Sequence, residues 1–122
     1  MTSAEPRLQR YVLELEFDGK PFCGWQMQSA KAESKTPSIQ GTLERSLQTV
    51  LHSKGKRIVI QGCGRTDTGV HAEQFFAHFD VSEDEMKKCG GMERVRHKLN
   101  SVLPNEVVAL RHFEAPKNFH AL

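Results

Sequence analysis

The chain has 122 residues, 38% of them hydrophobic, and seventeen basic side chains against fifteen acidic ones give a formal net charge of +2. That length fits one domain with a real core, and so small a charge by itself points to no class of partner. No apolar run reaches a membrane span, residues 1–10 are too polar for a signal peptide, and three widely spaced cysteines (Cys23, Cys63, Cys89) indicate neither a zinc site nor a disulfide framework, which points to a reducing, cytoplasmic setting.

Residues 1–9 read as a flexible lead-in. Residues 11–17 alternate as a strand, with Tyr11, Leu13, Leu15 and Phe17 on one face and Val12, Glu14 and Glu16 on the other. Asp18-Gly19 ends it in a turn, and residues 21–26 follow as a structured loop. Residues 28–37 hold Ser, Lys, Glu and Thr without periodicity and read as an exposed, mobile loop. A helix is expected from about Ser38, because Ile39, Leu43, Leu47, Val50 and Leu51 form an apolar stripe. Either Ser38 or Thr36 with Pro37 would cap it.

Residues 57–61 predict a short β-branched strand, with Ile58 and Ile60 opposite Val59. A third strand is predicted over 73–79, with Phe75, Ala77 and Phe79 on one face and Gln74, Phe76 and His78 on the other. Its three phenylalanines lie among Glu73, Gln74 and Asp80, surroundings that favour core packing over an RNA-stacking role. Ser82 and Glu85 are spaced as a capping box, and Gly90-Gly91 interrupts any helix there. Met92, Val95, Leu99 and Val102 restore helical spacing, residues 100–105 break it, and Pro104 is the stop. Residues 107–113 predict a fourth strand, and 115–122 carry no clear pattern. The order β-α-β-β-α-β predicts an α+β, ferredoxin-like fold, an antiparallel sheet with two helices on one face.

Between the second and third strands lies Gly62-Cys63-Gly64-Arg65-Thr66-Asp67-Thr68-Gly69-Val70-His71-Ala72. A hairpin needs only two to five residues, so the extra length and the glycines suggest backbone brought close to a ligand. Gly-Lys-Ser/Thr is absent, which excludes a P-loop, and no long helix follows, which excludes a dinucleotide fingerprint. Arg65 could clamp an anion, Asp67 could serve as nucleophile or base, and His71 as acid, base or scaffold. A strained structural hairpin with a surface Arg–Asp pair remains the alternative. From Lys31 to Arg65 seven basic side chains face only Glu33 and Glu44, a distribution that fits either an anionic partner or a solvated face.

The glycine-rich run resembles the signature of the tRNA pseudouridine synthase A family, with small-for-small departures at Cys63 and Thr68. Further motifs agree in order: Tyr11–Phe17 with Asp18-Gly19, Phe22-Cys23-Gly24-Trp25-Gln26-Met27-Gln28, Ser38-Ile39-Gln40-Gly41-Thr42-Leu43-Glu44, Leu99-Asn100-Ser101-Val102-Leu103-Pro104 and Phe119-His120-Ala121. The resemblance implies isomerisation of uridine to pseudouridine in the anticodon stem-loop of tRNA, without a cofactor or metal. It puts the catalytic aspartate at Asp67, with Arg65 filling the space the flipped base vacates or holding phosphate. Gly62, Gly64, Thr66, Gly69 and His71 would shape the loop.

Lys31, Lys35 and Arg57 are candidate phosphate contacts, and Gln26 and Trp25 candidate RNA contacts. Trp25, in a loop beside the sheet, is expected to anchor against the core. Gln26 and Gln28 could orient the signature loop. The alternative to an enzyme is a non-catalytic RNA-binding module derived from the family.

Family members are about twice this long, with a second related domain, and act as homodimers. In them Phe-His-Ala is followed by arginine and then by a tyrosine-bearing strand; here Leu122 stands where the arginine would be. Residues 10–122 are therefore expected to be the catalytic-loop domain alone, without its C-terminal partner, with little or no activity by itself. They are also expected to self-associate if that partner normally covers an edge or apolar face.

Overall fold

The structure is a computed structural model that describes residues 7–22, 24–27, 29–51, 58–62 and 72–116. Strand β1 (Leu8–Phe17) is followed by helices α1 (Ala30–Lys35) and α2 (Ile39–Leu51), then strands β2 (Gln61–Gly62) and β3 (Ala72–Ser82). Helices α3 (Glu83–Lys88) and α4 (Met92–Val102) and strand β4 (Val107–Ala115) complete the described elements. The sheet order is β2-β3-β1-β4, and the pairings among the described residues are antiparallel. This is the ferredoxin-like α+β arrangement that the element order predicts, with α1 and α3 as additions.

The alternation in β1 decides which side is the core. Tyr11, Leu13, Leu15 and Phe17 join Phe75, Ala77 and Phe79 from β3 and Val107 and Ala109 from β4. On that face Ile39, Leu43 and Leu47 of α2 and Met92, Val95 and Leu99 of α4 pack into the same cluster. Each fully buried Leu, Ile or Phe contributes roughly 1.5–3 kcal/mol relative to exposure. The other face carries polar pairs. The Arg10 guanidinium grips Asp80 across β1 and β3 with two bonds, 2.8 and 3.0 Å, which holds its pKa above the ordinary arginine value. Glu14 lies 3.8 Å from Arg111 on the same side.

Several expectations need correction. Strand β1 begins at Leu8, earlier than the alternation suggests, because Leu8 and Gln9 pair with Ser82 and Val81. Residues 30–35 are a short helix and not a mobile loop. The Ser29 hydroxyl accepts from the Ala32 amide and starts it, and with only six residues it shows no apolar stripe that periodicity could detect. Of the three phenylalanines, Phe75 and Phe79 are core. Phe76 points to the opposite face, where its ring meets Phe113 edge-on at 6.4 Å, as alternation along β3 requires.

Strand β3 runs on to Ser82, whose hydroxyl accepts from Glu85 N and starts α3, as the capping spacing predicts. Gly90 and Gly91, with φ of +92° and +94°, turn the chain between α3 and α4. Helix α4 continues through Asn100 to Val102, beyond the predicted break, and β4 continues to Ala115.

Candidate functional site

Asp67 and Arg65 lie outside the described residues, as do Gly64, Thr66, Gly69, His71 and Arg57. What the structure does describe is the frame from which the signature run departs. Helix α2 is started by Ser38, which settles the choice of cap. Its buried hydroxyl accepts from Gly41 N at 2.9 Å. The next unpaired helix donors, Ile39 N and Gln40 N, are taken by the carbonyls of Gly24 and Trp25 at 3.0 and 2.9 Å. The loop before the helix is thereby fastened to its first turn.

Trp25 is only 3% exposed, and its ring lies 4.6 Å from that of Phe75. It is an anchor in the core, and its burial removes it as a stacking platform for RNA. Gly62 closes β2 directly over this pair. A Cβ there would sit 2.7 Å from Trp25 and 2.8 Å from Phe75, too close for any side chain without movement of the rings. The first glycine of the signature is needed for a close approach of strand to core.

Two α2 side chains hold the segment just before Gly62. Gln40 donates from Nε2 to the Ile60 carbonyl at 2.7 Å and accepts at Oε1 from Met27 N at 2.8 Å. Glu44, 2% exposed, accepts from Ile60 N at 3.0 Å. Both backbone groups of Ile60 are therefore engaged by the helix. Ile58 and Ile60 are buried and Val59 is 48% exposed, the facing that the sequence predicts. Among the described residues the ladder covers Gln61 and Gly62. The role of Gln40 and Glu44 is absent from the sequence reading. Its trace there is a polar pair four residues apart beside an apolar stripe.

Of the candidate RNA contacts, Lys31, Lys35 and Gln26 are exposed, the two lysines on α1. A cleft of about 310 Å³ lies beside β2, lined in part by Arg10, Gln61, His78 and Asp80. A wider one of about 630 Å³ lies between α3, α4 and the end of β4, where Glu83, Asp84, Glu93 and Glu114 outnumber Lys87. That acidic lining repels phosphate, so volume is a poor guide to the site in this molecule. Among the described residues no group of three or more His, Cys, Asp or Glu could hold a metal ion.

No protein-family model matches the chain. Curated relatives do. It is 40% identical over 116 residues to the tRNA pseudouridine synthase A of Rhodopseudomonas palustris, an alignment covering 94% of this chain and 42% of that one. The enzymes of the same name from Maridesulfovibrio salexigens and Maricaulis maris are 36% and 35% identical, over 93% of this chain and 37% and 41% of theirs. The chain belongs to the tRNA pseudouridine synthase A family. It spans about two fifths of the length of the curated relatives it matches, consistent with their N-terminal half.

Membership gives the observed contacts a reading in terms of the family motifs. The Gly-Trp element caps α2 and fills the space under Gly62. Gln40 and Glu44 of the following motif hold Ile60. Asn100 of the Leu-Asn-Ser-Val-Leu-Pro motif binds both backbone groups of Ala109, donating to its carbonyl at 3.0 Å and accepting from its amide at 2.8 Å. No helix among the described residues is long and apolar enough to cross a membrane.

Proposed function

We propose that this chain is the catalytic-loop part of a tRNA pseudouridine synthase acting in the cytoplasm on the anticodon stem-loop. The observation that carries the reading is the intact run from Gly62 to Ala72 in a chain 40% identical to an enzyme of that name. The reaction breaks the bond between C1′ and N1 of a uridine, turns the uracil, and joins C1′ to C5. The C5 proton is lost and N1 gains one, so no cofactor or oxidant is required. Asp67 acts either as nucleophile at the sugar or as base during cleavage. The uridine must first leave its stack, and Arg65 fills the vacated space or holds the adjacent phosphate. Gly64, Thr66, Gly69 and His71 shape the loop, and Lys31, Lys35, Gln26 and Arg57 contact the RNA.

Because the chain spans two fifths of its relatives, turnover by these residues alone is expected to be slight. A second domain, in the same chain or supplied by another, would complete the cleft, and the complete enzyme would act as a homodimer. The basic side chains between Lys31 and Arg65 favour a second reading, RNA binding without turnover. Pseudouridine formation on unmodified tRNA separates the two. With the missing part supplied, the enzyme reading expects turnover that Asp67→Ala abolishes. Turnover that survives Asp67→Ala would refute the assigned nucleophile, and tRNA binding without product would favour the binding module.

A further inference from the structure

The structure assigns Gln40 and Glu44 as positioning residues of the signature loop, acting through the backbone of Ile60. The assignment rests on the proposed role of that loop, but its geometry is independent of it. Ile60 stands two residues before Gly62, and its carbonyl and amide are both held from one helix, at 2.7 and 3.0 Å. Gln40 spans a junction as well. Its amide oxygen takes the Met27 amide while its amide nitrogen gives to Ile60, so the Trp25–Met27 loop and the residue that enters β2 share one side chain. Glu44 brings a carboxylate into a buried place, which is costly unless hydrogen bonds compensate for the lost water. Directly beyond, Gly62 is pressed on Trp25 and Phe75. The chain therefore leaves for the loop from a point held on two sides, by hydrogen bonds at Ile60 and by ring contact at Gly62.

The opposite end of the sheet supplies the control. Asn100 on α4 holds both backbone groups of Ala109 in the same manner, at 3.0 and 2.8 Å, but in β4, which pairs with β1 and not with the strands that flank the loop. A purely structural role predicts that the two clamps are interchangeable in effect. A positioning role predicts that only the α2 clamp reaches the loop.

The experiment is amide spectroscopy and hydrogen exchange on the 15N-labelled 122-residue chain carrying Gln40→Ala, Glu44→Ala, Glu44→Gln or Asn100→Ala. Gln40→Ala and Glu44→Ala should speed exchange at the amides around Ile60 about tenfold, and shift the signals of Gly64, Asp67 and Gly69. Glu44→Gln retains an acceptor oxygen and should restore those signals. Asn100→Ala should lower the melting temperature while leaving them in place. If Gln40→Ala fails to fold, Gln40→Glu takes its place, since it keeps the acceptor for Met27 and removes the donor to Ile60. Loop signals unmoved by loss of the α2 clamp, or moved equally by Asn100→Ala, would overturn the assignment. Because this readout needs no turnover, a failure of the enzyme reading, seen as activity surviving Asp67→Ala, is distinguishable from a failure of the clamp.

Discussion

The two outer strands of the sheet are both held by helix side chains, yet with different consequences. At β2, Gln40 and Glu44 of α2 divide the work: one binds the Ile60 carbonyl and the other its amide. At β4 a single Asn100 of α4 binds both groups of Ala109, and Arg96 adds bonds to the carbonyls of Ala109 and Leu110 at 3.3 and 3.4 Å. The β4 clamp fills part of an outer strand edge that would otherwise be open to pairing with another chain. The β2 clamp holds Ile60 just ahead of the ladder, in which, among the described residues, Gln61 and Gly62 join β3. Similar chemistry thus closes an edge on one side and fixes a departure point on the other.

The largest expected effect that probes this difference is on the β2 side. Trp25→Ala empties a fully packed site beneath Gly62 and should cost about 3–5 kcal/mol in denaturant unfolding. A loss below about 1 kcal/mol would show that the ring is not the support described. Gly62→Ala forces a methyl against Trp25 and Phe75 and should cost about 1–3 kcal/mol by the same measurement. An unchanged midpoint would mean that the strand stands further from the core.

On the β4 side the effects are smaller. Asn100→Ala leaves the Ala109 amide without its partner and the carbonyl with Arg96 alone, and should cost about 1–2 kcal/mol. It should also raise self-association in light scattering, because the edge is opened beside Leu110 and Phe113, which is 43% exposed. A monomer at every concentration would detach the clamp from edge protection. The smallest effect concerns Glu93. The hydrogen bond from Arg96, with the nearby charges of Arg96, His112 and His97, holds its carboxyl below the ordinary carboxylate range. A carboxyl lowered by folding stabilises the fold above its ordinary pKa, and that contribution disappears as pH falls through the lowered value. Arg96→Ala should therefore return the Glu93 titration toward the ordinary value, read from its side-chain carbon resonance. An unmoved titration would remove Arg96 as the cause.

Much of the fold is legible along the chain because its cues are local. Ser38 sits next to an apolar stripe, Ser82 lies three residues before Glu85, and Gly90-Gly91 separates two helical segments. Elements without such cues escape. Helix α1 has no apolar stripe in its sequence, and Asn100, a residue that weakens a helix interior, stays helical because its amide is occupied by Ala109. The candidate site divides in the same way. The chemistry proposed for it rests on Arg65 and Asp67, and the resemblance to a family of RNA-modifying enzymes is carried by contiguous motifs.

The sequence by itself determined the β-α-β-β-α-β order of the main elements, the buried face of each long one, and the family, because these depend on period, caps and short motifs. Tertiary structure alone decided that Trp25 packs on Phe75, that Phe76 meets Phe113, and that Gln40 and Glu44 hold Ile60. The physical reason is distance along the chain. Gln40 and Ile60 are twenty residues apart, Trp25 and Phe75 are fifty, and no local pattern reports a hydrogen bond or a ring contact that forms only when helix and sheet have packed.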